Sequence, residues 1–238
     1  MHPIYRRLIA GQRRDRYKRA ILDSGASFYM PLDEPSGGIV NDISGNGAVG
    51  TVNGGTLSYT GCPIIGSQTP CPYFSGAAGQ YITSPSSSFV HPTGSFTLLI
   101  HAYMLDTNPH EFMCKGTSEF AGAGSGTDWE LGYVGGSTYL QFYTGSGSAS
   151  YFTTSPGINR WDQYIARFTA GSEYAIFQNG VKNSTTTANA SVGSSTGQLK
   201  ISGTVYRQNG FLAHAAYFPK ALSDGQAYEL YKISAGMA

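Results

Sequence analysis

Leu199-Lys-Ile-Ser-Gly203 and Gly210-Phe-Leu-Ala-His-Ala-Ala-Tyr-Phe-Pro-Lys-Ala-Leu-Ser223 decide the fold. Phe211 to Phe218 holds no turn former, and both alternating sets are mostly apolar: Phe211, Ala213, Ala215 and Tyr217 on one side, Leu212, Ala216 and Phe218 on the other. A strand with that pattern is covered on both faces. Ser223 and Gln226, three apart, form a capping box, and Ala227, Tyr228, Leu230 and Tyr231 give the short helix that follows an apolar side.

Upstream, the same period of two recurs between Gly, Ser and Thr turns. Phe96, Leu98, Ile100, Ala102 and Met104 alternate with Thr97, Leu99, His101, Tyr103 and Leu105, a second strand buried on both faces. Asp128–Val134 and Thr138–Tyr143 flank Gly135-Gly136-Ser137, a hairpin signal, and Asn179-Gly180 suits a type I′ turn. Trp161 to Phe168 reads as the strand opposite that turn, with Trp161 expected in the core. Gly makes up 32 of 238 residues and charged residues 12%, against about 7% and about 25% in ordinary domains, so the chain is turn-rich and charge-poor. Its 12 Phe, 17 Tyr and 2 Trp exclude disorder and supply a core large enough for one domain. Period-two segments with a single helix at the end predict an all-β sandwich of two packed antiparallel sheets.

Several blocks, in order, resemble the laminin-G-like, concanavalin-A-like jelly-roll modules, in the subgroup carried by bacteriophage structural proteins. Ala20-Ile-Leu-Asp-Ser-Gly-Ala-Ser-Phe-Tyr-Met-Pro-Leu-Asp-Glu34 resembles the opening strand. Asn41-Asp-Ile-Ser-Gly-Asn-Gly-Ala-Val-Gly-Thr51 resembles the family loop, and Ser95-Phe-Thr-Leu-Leu-Ile-His-Ala the long core strand. Arg160-Trp-Asp-Gln-Tyr-Ile-Ala-Arg-Phe and Tyr174-Ala-Ile-Phe-Gln-Asn-Gly-Val181 resemble the paired strands of its Asn-Gly hairpin. The likeness runs from Ile21 to Ile233 and implies a jelly-roll domain over residues 23–238.

A net charge of +1 conceals two unlike parts. Residues 1–20 hold seven basic residues against Asp15, a net of +6, while the rest carries eight basic and thirteen acidic residues, a net of −5. Residues 1–22 therefore read as a basic arm in which Tyr5, Arg6, Arg7, Ile9, Arg13, Arg14, Arg16, Tyr17, Lys18 and Arg19 meet a partner. An acidic protein lattice explains those residues, and nucleic acid does so less well because the body is acidic and lacks a nucleic-acid motif. No uninterrupted apolar signal segment and no run of about 18 apolar residues occurs. The protein is expected to be made in a host cytoplasm. Cys62 and Cys71 bracket a loop that a disulfide can close, whereas Cys114 reads as a small buried hydrophobe.

Hydrolysis is the weaker reading. Glycosidases of this architecture need a strand bearing a row of carboxylates, because acid and nucleophile sit about 5 Å apart. Asp128 and Glu130 share a strand face without a third, and read as edge or loop charges. Related modules often bind calcium through loop carboxylates and amides, so Asp42 and Asn46 are candidate metal ligands. Where the family supplies another Asp this chain reads Leu212-Ala213-His214, and the alternative is that Asp42 and Asn46 cap a turn. Trp129, Tyr133, Tyr139, Tyr143 and Tyr151 fall in adjacent hairpins and form a candidate glycan or partner surface, the alternative being core. Together these readings predict a non-enzymatic virion protein, a capsid decoration, head fibre or tail accessory. Its partners would be capsid or tail proteins, host glycans and copies of itself. A free bacterial carbohydrate-binding module and a divergent glucanase are the alternatives.

Overall fold

A computed structural model describes residues 15–62, 69–76, 79–85, 88–117, 127–134, 139–144, 148–153, 157–187, 193 and 195–237. Residues 15–23 form helix α1. Strands β1 (Phe28–Met30), β2 (Ile39–Asn41), β3 (Val49–Asn53), β4 (Ser58–Cys62), β5 (Thr69–Ser75) and β6 (Tyr81–Ser84) follow. The middle of the chain supplies β7 (Phe96–Met104), β8 (His110–Gly116), β9 (Thr127–Val134), β10 (Tyr139–Thr144) and β11 (Ser148–Thr153). Then come β12 (Trp161–Thr169), β13 (Glu173–Gln178), β14 (Val181–Thr187), β15 (Leu199–Ile201) and β16 (Asn209–Phe218), and helix α2 (Asp224–Ser234) closes the fold.

The strands make two eight-stranded antiparallel sheets. One runs β14-β13-β12-β7-β16-β5-β4 with β1 added on β16, and the other runs β11-β10-β9-β8-β15-β6-β3-β2. The predicted jelly-roll sandwich is thus the observed one. Between the sheets lie Phe96, Leu98, Ile100, Ala102 and Met104 of β7, the set its alternation predicts, with Phe112, Trp129, Leu131, Phe142, Tyr164 and Tyr217. Rings stack across the gap: Phe112 on Tyr164 at 5.3 Å and Trp129 on Tyr217 at 5.9 Å. Burying each such ring contributes roughly 1.5–3 kcal/mol.

The outer face of the first sheet carries a second core, where α1 and α2 cover Leu99, Ile165, Phe177, Ala216 and Phe218 with Tyr17, Ile21, Ala227 and Leu230. The capping box of α2 forms as expected, Ser223 Oγ accepting from Gln226 N and Gln226 Oε1 from Ser223 N. Arg167 holds the helix start from below, donating to Leu222 O at 2.8 Å and Asp224 Oδ1 at 2.7 Å. Asn179 and Gly180 take φ of 53° and 76°, as a type I′ turn requires.

Four expectations are corrected. In β16 the alternation breaks at a bulge between Ala213 and Ala216, where His214 takes φ 55°. Leu212, Ala215 and Tyr217 therefore face inward while Phe211, Ala213, Ala216 and Phe218 face outward. Residues 20–23, read as the start of an opening strand, end α1 instead, and β1 is confined to Phe28–Met30. Trp161 is only partly buried, because it opens β12 on the outward side. Cys71 is buried, and the register sets it opposite Thr60 and Cys62 opposite Thr69, so the two cysteines do not face each other across the strand pair.

Candidate functional site

A cleft of about 450 Å³ opens at one end of the sandwich, where the turn after β7 meets the segment leading into β16. Asp106, Asn108, His110, Tyr206, Arg207 and Asn209 line it. Asp106 Oδ2 accepts from Asn209 Nδ2 at 2.6 Å, and Oδ1 accepts from the Asn108 amide at 2.8 Å and lies 3.0 Å from His110 Nε2. Burial works to raise the Asp106 pKa, but the Asn209 hydrogen bond, the Asn108 amide and His110 prevail and hold the carboxyl below its usual range. The carboxylate is thus an ionised acceptor, 29% exposed, with its orientation set by three donors. His110 is fixed in turn by the Arg207 carbonyl, 2.9 Å from Nδ1, and stacks on Tyr133 at 6.4 Å. Arg207 gives its Nε–H to Thr204 O at 3.0 Å, which leaves its terminal amino groups without a hydrogen bond among the described residues. An oriented carboxylate, amide side chains and a guanidinium around a concave wall suit hydrogen bonding to neighbouring hydroxyls. Among the described residues Asp106 is the one carboxylate lining the cleft, whereas glycoside hydrolysis needs a pair.

The residues singled out by sequence lie elsewhere. Asp42 is saturated by its own loop: Oδ1 accepts from Tyr29 N and Ser44 N, both at 2.9 Å, and Oδ2 from Ser44 Oγ at 2.8 Å and Ala48 N at 3.2 Å. Asn46 donates to Ser27 O at 2.8 Å. The four bonds commit the Asp42 carboxylate to the turn, because the lone pairs a metal would take from it already accept N–H and O–H donors, and Asn46 is tied to the same turn through its amide N–H groups. No cluster of three or more His, Cys, Asp or Glu side chains suited to a metal occurs among the described residues.

Trp129 and Tyr133 do not form a glycan surface, being 0% and 5% exposed on the inward side of β9. Trp129 Nε1 donates to Val90 O at 3.1 Å. Tyr139 and Tyr143 occupy β10 positions alternating with the buried Leu140 and Phe142, and Tyr151 pairs with Gln141; their side chains lie outside the described residues. Asp128 and Glu130 are not edge charges, since both are fully buried. Asp128 pairs with the equally buried Lys115 at 2.7 Å and with His91 at 2.9 Å, and accepts from the Ser195 amide.

Of the basic arm, Tyr5, Arg6, Arg7, Ile9, Arg13 and Arg14 lie outside the described residues. Arg16 and Arg19 are exposed on α1, and Lys18 pairs with Asp33 at 2.6 Å. Tyr17 is unavailable to a partner: it is wholly buried against the sheet, beside His101, Gln163 and His214. Sequence reasoning missed the cleft because its residues come from two parts of the chain some hundred positions apart. Asp106 and Asn209 meet through pairing of β7 with β16, and no local spacing signals that meeting.

Comparison with known proteins bears on this geometry. The family described as the Concanavalin A-like lectin/glucanases superfamily matches residues 75–227, and the chain belongs to it. Among solved structures, the Botulinum neurotoxin serotype G binding domain superposes with a TM-score of 0.66 at 16% identity, over 88% of this chain and 51% of that one. The binding domain of Paraclostridial Mosquitocidal Protein 1 gives 0.66 at 14% identity, over 89% and 52%. The Botulinum neurotoxin serotype D ligand binding domain, in complex with N-acetylneuraminic acid, gives 0.65 at 11% identity, over 91% and 52%. The chain spans about half the length of these structures, and at such identities the likeness is one of fold. No curated protein matches the sequence.

Proposed function

We propose that this protein is a non-catalytic carbohydrate-binding module whose end cleft holds a sugar. The observation that carries the reading is the Asp106 carboxylate, ionised and aimed by Asn209 and Asn108 beside the unspent amino groups of Arg207. Such an acceptor and donor pair engages two adjacent hydroxyls, and the surrounding wall excludes water from one side of the ring. Family membership and the sialic-acid complex of the serotype D toxin domain support it. A glycan array followed by calorimetry on the full chain tests it. Binding to a defined sugar should fall about tenfold or more in Asp106→Ala, measured at a temperature where the variant is fully folded, and reducing ends should not be released. Sugar hydrolysis abolished by Glu130→Gln would overturn the non-catalytic reading.

A second reading concerns where the module works. Residues 1–14 carry Arg6, Arg7, Arg13 and Arg14 without an acidic residue, immediately ahead of a helix docked on the sandwich. That arrangement suits a cationic tether on a rigid base, anchoring a virion protein to acidic capsid or tail subunits while the cleft contacts host glycans. Loss of incorporation into phage particles on deleting residues 1–14 supports this reading, and full incorporation overturns it.

A further inference from the structure

The first sheet carries a row of rings that no local sequence pattern reveals. Trp161 of β12 lies opposite Tyr103 of β7, Tyr103 opposite Phe211 of β16, and Phe211 opposite Tyr73 of β5. Register alone therefore lines four aromatic residues across four neighbouring strands, about 14 Å at ordinary strand spacing. Ring centroids stand 5.8 Å apart for Trp161–Tyr103 and Tyr103–Phe211, and 5.1 Å apart for Phe211–Tyr73. All four are partly exposed. Helices α1 and α2 pack on the far part of this outward face, over Leu99, Ile165 and Ala216, and the row lies toward the end that holds the cleft. Two residues on from Tyr73 is Ser75, and two before Phe211 is Asn209, both in the cleft wall.

We propose that this row is the platform for a single linear, neutral polysaccharide chain that continues out of the end cleft. The proposal rests on the carbohydrate reading of that cleft and extends it to the polymer. Pyranose rings have apolar C–H faces that stack on aromatic rings while their hydroxyls stay in water, so a row of half-exposed rings matches a run of sugars. No member of the row is charged, so an anionic polymer gains nothing along it. Neighbouring rings are inclined by 45–79°, so they share no common plane. A flat crystalline face would touch only one or two of them, whereas a twisted chain can meet each in turn.

The two tryptophans make the test direct. Trp129 is fully buried and Trp161 partly exposed, so a ligand-induced change in indole emission reports on the row. The full chain is titrated with cello-, laminari- and xylo-oligosaccharides of one to six units and with the corresponding soluble polysaccharides. In one series, affinity should rise with length until the row is filled, with a shift in emission. Tyr103→Ala and Phe211→Ala should each lower hexasaccharide affinity about tenfold and leave the monosaccharide unaffected, whereas Asp106→Ala should weaken every length. Trp161→Phe, which removes an indole N–H without a hydrogen-bond partner, should abolish the emission change while the protein stays folded. Affinity independent of length, with a monosaccharide still bound, would overturn the platform and leave the cleft. Binding of no sugar at all would overturn both, and polymer binding unchanged in a folded Tyr103→Ala/Phe211→Ala variant would overturn the platform alone.

Discussion

The Tyr17 hydroxyl lies 2.7 Å from His101 Nε2, joining α1 to the middle of β7 across 84 residues of sequence. Gln163 Nε2 donates to the same oxygen at 2.9 Å, so the buried hydroxyl is held between two polar side chains. Tyr29 and His214 make a second such pair at 2.7 Å, and the Tyr17 ring meets His214 edge-on at 4.9 Å. A helix whose sequence reads as the end of a partner-binding basic arm is in this way packed onto the sandwich.

Tyr17→Phe should therefore cost about 1–3 kcal/mol, because Gln163 and His101 lose a buried partner, and Tyr17→Ala about 3–5 kcal/mol, because a cavity is added. Urea denaturation measures both. Deleting residues 1–14 keeps this contact, whereas deletion through residue 22 removes Tyr17 and Ile21 and should lower stability by more than Tyr17→Ala does. Equal stability of the two truncations would place the domain boundary after α1.

Stability should fall as the pH drops below about 6.5. Burial, then the neighbouring His214, push the His101 pKa well below its ordinary value, with Asp162 opposing them. The unfolded chain binds a proton that the native histidine refuses, so this contribution is complete above the unfolded pKa and is lost as the pH falls toward the native one. One such group gives a slope of up to about 1.4 kcal/mol per pH unit. Denaturation at a series of pH values should show a smaller slope between pH 6.5 and 5 in His101→Gln, whose amide can still hydrogen-bond to Tyr17 in either direction. An unchanged slope would assign the acid sensitivity to other groups.

Removing Asp128 should be among the most damaging single changes. Its partner Lys115 is 0% exposed, and among the described residues Asp128→Ala leaves that ammonium with the Ser195 carbonyl alone, 2.7 Å away. A broken buried pair of this kind costs about 3–5 kcal/mol. Replacing both residues with apolar ones, as in Lys115→Met/Asp128→Leu, should recover part of the loss in the same denaturation assay.

Chelation should leave the melting temperature unchanged, since Asp42 is occupied by protein donors. Asp42→Ala should cost about 1–3 kcal/mol whether or not calcium is present, because the Tyr29, Ser44 and Ala48 amides lose their acceptor. A calcium-dependent rise in melting temperature that disappears in Asp42→Ala would return the residue to metal binding.

Features that depend on neighbouring residues were determined by the sequence itself. The alternation of Phe96 to Met104, the positive φ open to Asn179 and Gly180, and the Ser223–Gln226 cap need only local sterics and hydrogen bonding, and together they specify a two-sheet sandwich closed by a helix. Tertiary structure decided what depends on register. The bulge at His214 reverses which side Ala215 and Tyr217 face, and strand pairing brings Asp106 to Asn209 and aligns Trp161, Tyr103, Phe211 and Tyr73. A one-residue shift in any of those strands would send its side chains to the opposite face, and that register is set by the burial of the whole sheet rather than by any segment's own composition.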